Sequence, residues 1–111
     1  MDLTTEEKNG VTIVKMAGKI NVPEAQELMT FIEKLIDEGK HRLVIDFSEI
    51  KYIGSLGVGV LATLLRKVIQ VGGSMKLVAL NLFVQKIFTV TKLDKIFEIY
   101  ETLDECLDSF S

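Results

Sequence analysis

Tryptophan is absent, and cysteine, histidine and proline occur once each, as Cys106, His41 and Pro23. A lone cysteine excludes an internal disulfide and fits a reducing compartment. Long apolar runs are also missing: nothing reaches the roughly eighteen residues that spanning a bilayer requires. Met1 to Glu7 is acidic and has no apolar h-region, so it does not read as a signal peptide, and a cytoplasmic protein is expected. Basic charge is in short supply. Lys and Arg number 13 against 16 Asp and Glu, a net charge of -3, which argues against a nucleic-acid surface and leaves a protein partner open. There is no internal repeat, low-complexity tract or linker. No nucleophile, base and oxyanion donor can be assembled, so binding rather than catalysis is expected, with no cofactor and no metal.

What is present suits one globular domain spanning 1–111. The apolar share is 48% and the charged share 26%, enough for a core without disulfides or a structural metal. Leu3 to Lys8 and Val11 to Ala17 read as strands joined by Asn9-Gly10, a strong two-residue hairpin signal. Gly18 is expected to end the second strand. Asn21-Val22-Pro23-Glu24 has the cap, the first-turn proline and the acidic residue of a helix start. Ala25, Leu28, Phe31, Ile32, Leu35 and Ile36 then give a core-facing stripe over 23–38.

Arg42 to Phe47 is short, branched and apolar on both faces, as in a central, doubly covered parallel strand. Ser48 and Glu49 read as a bend. A helix from Ser55 or Leu56 to about Val71 carries the stripe Gly57, Val60, Leu61, Leu64, Leu65 and Val68, and Gly72-Gly73 ends it. Met75 to Leu80 reads as a strand, Leu82 to Val90 as a helix, and Lys95 to Tyr100 as a strand. Thr102 with Glu105 resembles a capping box opening a last helix, where Cys106 reads as a small core residue. His41 reads as a surface residue and Asp46 as a turn cap. The order β-β-α-β-α-β-α-β-α predicts an α/β fold: a mixed, mostly parallel sheet of about five short strands with about four helices.

The chain is organised around Tyr52-Ile53-Gly54-Ser55-Leu56-Gly57-Val58-Gly59-Val60, a serine-and-glycine turn between a strand and a helix. A helix start presents unpaired N–H groups and the positive end of a dipole. Ser55 reads either as a plain N-cap, worth about 1 kcal/mol, or as a modification site. Gly54, Gly57 and Gly59 lack the Lys-Ser/Thr of a phosphate loop and the spacing of a dinucleotide fingerprint, so close packing of the helix on the sheet or on a partner is expected of them.

Four stretches, in order, resemble the STAS family and its anti-sigma factor antagonists. These are Gly18-Lys19-Ile20-Asn21 before a helix, Leu43-Val44-Ile45-Asp46-Phe47-Ser48, the Tyr52-to-Leu61 motif, and Gly72-Gly73 with the later Leu93-Asp94-Lys95-Ile96-Phe97. The resemblance implies a single STAS domain that binds an anti-sigma factor of the serine kinase type, in a partner-switching pathway regulating transcription. It implies that phosphorylation at the start of the second helix abolishes binding and that a phosphatase restores it. It marks Asn21, Gly54, Ser55, Leu56, Gly57 and Val58 as partner-binding; the charge balance and the lack of a long apolar run add the expectation of no nucleic-acid partner and no direct membrane insertion. The family pattern, Asp-Ser-Ser/Ala-Gly-Leu-Gly-Val-Leu, is departed from here. Its Asp falls on Gly54, its first serine on Ser55, and its usual phosphoacceptor on Leu56, which cannot be phosphorylated; Asn21 replaces an earlier Asp. Ser55 is therefore the phosphorylation candidate. Leu56 also suits an alternative, a non-phosphorylated STAS subunit of a lipid-transport ATPase or signalling scaffold.

Overall fold

The computed structural model describes residues 2–111. The elements are β1 (Asp2–Lys8), β2 (Val11–Ile20), α1 (Val22–Asp37), β3 (Arg42–Ile53), α2 (Ser55–Gln70), β4 (Ser74–Val78), α3 (Leu82–Val90), a 3-10 turn (Leu93–Lys95), β5 (Ile99–Tyr100) and α4 (Leu103–Asp108). The five strands stand in the order β1-β2-β3-β4-β5. β1 and β2 are antiparallel and the remaining neighbours are parallel, so the expected mixed sheet is present.

Sequence chemistry accounts for the element ends. Asn9 (φ 55°) and Gly10 (φ 79°) take the paired left-handed conformations of a tight hairpin turn, which joins Lys8 directly to Val11 across the ladder. At the start of α1 the Glu24 carboxylate accepts a hydrogen bond from Asn21 N–H at 3.0 Å. At the start of α4 the Thr102 hydroxyl accepts from Glu105 N–H at 3.2 Å. Gly73 lets two backbones meet after α2: a Cβ there would lie 2.2 Å from the His41 carbonyl oxygen.

The two faces of the sheet are unequally covered. The main core joins α1, α2 and α3 to one face, through Leu28, Ile32, Leu61, Leu64, Val84 and Phe88 against Val14, Met16, Leu43, Ile45 and Phe47. The opposite face carries Val11, Ile13, Val44 and Val78, covered by Cys106, Leu107 and Phe110 of the C-terminal segment. Both faces of β2 and β3 are thus buried, which is why their sequences show no clean polar side.

Four expected boundaries change. β2 runs on through Gly18 (φ 101°) to Ile20. β3 runs on to Ile53, and the Ser48-Glu49 bend is instead a bulge inside it: Lys15 pairs with Asp46, but Ala17 pairs with Glu49. The turn chemistry is real, since Ser48 N–H donates to the Asp46 carboxylate at 2.8 Å, but pairing with β2 resumes beyond it. Ladder formation over twelve residues overrides the local bend. Of the strand expected over 95–100 only Ile99–Tyr100 forms, because Phe97 turns into the core and its N–H donates to the Leu93 carbonyl at 2.9 Å. β4 likewise ends at Val78, where Ala79 takes φ 62°.

Candidate functional site

The parallel strands β2 and β3 end side by side. Gly54 N–H donates to the Ile20 carbonyl at 2.9 Å, which ties the two exits together and sets Asn21 beside Gly54. α2 starts at this junction. Gly54 is its N-cap in an extended conformation (φ -86°, ψ 172°), and its carbonyl accepts from Val58 N–H at 3.1 Å. Ser55 is therefore the first helical residue rather than the cap, contrary to the plain-cap expectation. Gly54 has no side chain to accept from the first-turn N–H groups, so the helix start carries no side-chain cap.

Ser55 is exposed, and its hydroxyl has no hydrogen-bond partner among the described residues. The first turn of α2 holds no acidic side chain, so the positive end of the helix dipole is uncompensated. Around it lie large apolar side chains in water: Val22 is 55% exposed, Leu56 44% and Tyr52 36%. Tyr52 packs on Phe83 with ring centroids 5.7 Å apart, and Phe83 and Leu82 at the start of α3 are themselves exposed. Apolar groups clustered in this way mark a surface that another molecule covers.

The residues singled out from sequence divide into two sets. Asn21, Gly54, Ser55 and Leu56 come together at the surface. Gly57 and Val58 are buried and face the sheet. A Cβ on Gly57 would lie 2.8 Å from Ile20 Cγ2 and 2.9 Å from Ile53 Cγ1, so this glycine is needed for helix-on-sheet contact. Gly59 does not pack on the sheet: it is exposed and a Cβ there would meet nothing within 4 Å.

Asp46 is spent on the bulge, and the His41 ring Nε2 lies 3.1 Å from the Ile36 carbonyl oxygen at the end of α1. His41 is half-buried rather than a plain surface residue. Cys106 is fully buried, and desolvation pushes its thiol up to about 11, away from the reactive thiolate. Among the described residues no group of three His, Cys, Asp or Glu side chains could hold a metal ion, and no helix is long and apolar enough to cross a membrane.

One residue at this end of the sheet went unread in the sequence. Asn81 caps α3, its carbonyl accepting from Val84 N–H at 2.8 Å, and its amide donates to the Ile50 carbonyl at 3.0 Å. The cap was legible as Asn before a helix; the bond to β3, thirty-one positions away, was not. It anchors α3 beside Tyr52 and so holds Phe83 in place.

The comparisons with known proteins agree with this architecture. A family model, the STAS domain, matches residues 2–106. The anti-sigma-F factor antagonist RsfB of Mycobacterium tuberculosis is 30% identical over 107 residues, covering 95% of this chain and 85% of that one. The crystal structure of an anti-sigma factor antagonist from Mycobacterium paratuberculosis superposes with a TM-score of 0.89 at 30% identity, over 97% of this chain and 92% of that one. The phosphorylated form of the Bacillus cell fate determinant SpoIIAA shares the fold, with a TM-score of 0.78 at 18% identity over 99% of this chain and 100% of that one. With its mixed five-stranded sheet and a family model matched over nearly its whole length, the chain belongs to the STAS domain family.

Proposed function

We propose that this protein is an anti-sigma factor antagonist, and that it binds a kinase-type anti-sigma factor through the start of α2. The observation that carries the reading is the uncompensated helix N-terminus ringed by exposed Val22, Leu56 and Tyr52. The relatives named as antagonists at 30% identity support it. Asn21, Gly54, Ser55 and Leu56 supply the contact, with Gly57 and Val58 holding the helix against the sheet behind it. Ser55 is the switch: its free hydroxyl is open to a kinase, and a phosphate there adds about -1.5 to -2 charge. That charge suits the helix end and leaves α2 folded, so its effect falls on the partner, where removing an apolar neighbour's dry contact weakens binding. A phosphatase reverses the step.

A second reading rests on Leu56. It occupies the family's usual acceptor position and is 44% exposed, which suits a non-phosphorylated STAS subunit of a larger assembly, such as a lipid-transport ATPase or signalling scaffold.

Titration with the kinase-type anti-sigma factor of the same genome separates the two. The unmodified protein should bind; Leu56→Asp and Ser55→Asp should weaken binding tenfold or more while far-UV circular dichroism stays unchanged. Incubation with the kinase and ATP should place phosphate on Ser55. Absence of binding by the unmodified protein removes the first reading, and binding without phosphate on Ser55 removes the switch alone.

A further inference from the structure

β1 is an open edge. It is seven residues long, lies at the end of the sheet, and has β2 on one side only. The two-residue turn makes Lys8 and Val11 a hydrogen-bonded pair, so by alternation Glu6, Thr4 and Asp2 also bond inward to β2. The N–H and C=O groups of Leu3, Thr5 and Glu7 therefore point outward, unpaired, along the edge.

We propose that this edge pairs with the β1 edge of a second copy of the chain, antiparallel about a two-fold axis through Thr5, to form a continuous ten-stranded sheet. Three registers bring outward residues opposite outward residues in a two-fold arrangement with more than one distinct residue, and charge selects among them. Centring on Thr4 sets Asp2 against Glu6 twice. Centring on Glu6 sets Glu6 against itself. Centring on Thr5 sets Asp2 opposite Lys8 twice, Leu3 opposite Glu7 twice, Thr4 opposite Glu6 twice, and Thr5 opposite Thr5. It also satisfies the most backbone groups, since Leu3, Thr5 and Glu7 all find partners. Neither Asp2 nor Lys8 has an ion-pair partner among the described residues. The third acidic side chain of the strand is already neutralised: Glu7 accepts from the Thr12 hydroxyl at 2.8 Å and pairs with Lys40 at 3.2 Å. Chiefly the Thr12 bond holds its carboxyl below the usual range.

The flank of the edge supports the same occupant. Half-buried Leu3 and Phe31 line an open groove between β1 and α1. A two-fold axis perpendicular to the sheet keeps both α1 helices on one face, so each copy's helix approaches the other's groove. The start of α2 follows β3, two strands in from this edge, and stays uncovered. The dimer displays two such surfaces, which raises avidity for any partner that is itself dimeric.

Sedimentation equilibrium of the full chain over a dilution series tests this. The expected result is a monomer–dimer equilibrium. Lys8→Glu should raise the dimer dissociation constant about tenfold or more, by replacing two attractive pairs with two repulsive ones. The double variant Asp2→Lys with Lys8→Glu should restore it. Thr5→Pro deletes an outward N–H and leaves the bonds to β2 intact, so it should yield a monomer with an unchanged circular dichroism spectrum. A monomer at every concentration overturns the proposal. So does a dimer indifferent to Lys8→Glu, or one that the double variant fails to rescue; those two results stand even if Thr5→Pro does not fold.

Discussion

Replacing Gly57 and Gly59 by alanine, one at a time, puts two residues of the same helix to opposite use. Both sit inside α2, where alanine is favoured over glycine by about 0.8–1 kcal/mol, with somewhat less to gain at Gly57 in the first turn. At Gly59 the new Cβ meets nothing within 4 Å, so that gain is realised almost whole. At Gly57 the Cβ would lie 2.8 Å from Ile20 Cγ2 and 2.9 Å from Ile53 Cγ1. Those side chains cannot swing away, being 0% and 1% exposed and held on adjacent paired strands. Overpacking of this kind costs about 1–3 kcal/mol, which exceeds the propensity gain. The net expectation is a gain of about 0.5–1 kcal/mol for Gly59→Ala and a loss of up to about 2 kcal/mol for Gly57→Ala. For a domain of this size 1 kcal/mol corresponds to about 4 °C, so scanning calorimetry should show Tm rising by about 2–4 °C in one and falling by up to about 8 °C in the other. Equal Tm values for the two variants would refute the claim that Gly57 is there for contact with the sheet. Because relief at Gly57 lifts the first turn of α2, the same variant should also weaken partner binding, whereas Gly59→Ala should not.

Asn81→Ala should cost about 1–2 kcal/mol, from one lost helix cap and one lost bond to the Ile50 carbonyl, with amide hydrogen exchange accelerating in α3 ahead of α2. Asn81→Asp keeps the cap acceptor and loses the donated bond, so urea titration should place it between the two. Burial raises the Cys106 thiol to about 11, above its unfolded value of about 9. The unfolded chain thus sheds a proton that the folded chain retains, and the stability due to this group is full below pH 9 and is lost as pH rises to about 11. Urea midpoints measured across that window should fall more for the native sequence than for Cys106→Ala, and a parallel decline in both would reject the assignment. Native Cys106 should also resist thiol reagents until the chain unfolds.

The element order and the mixed sheet were legible because each element carries its own local signal. Asn9-Gly10 forces a tight hairpin through backbone sterics, and the stripes of α1 and α2 follow from helical periodicity. Ser48-Glu49 shows where local reading stops: the bond from Ser48 N–H to Asp46 is local and was anticipated as a turn, but whether it reverses the chain or bulges a strand depends on β2 continuing alongside. Phe97 shows the same limit. Its segment alternates like a strand, yet burial against Phe88, with ring centroids 5.8 Å apart, draws it out of the ladder.

The site divides along the same line. By itself the sequence determined that a glycine-serine turn opens the second helix, and that Leu56 stands where an acceptor serine would be expected. Only the tertiary structure decided that Gly54 takes the cap and leaves Ser55 free, and that Gly57 and Val58 turn inward while Val22, Tyr52 and Phe83 arrive from other elements to complete the exposed surface. The reason is range. Propensity and periodicity act over a few neighbouring residues, whereas the direction a side chain faces at a strand–helix junction is set by what packs against it from distant parts of the chain.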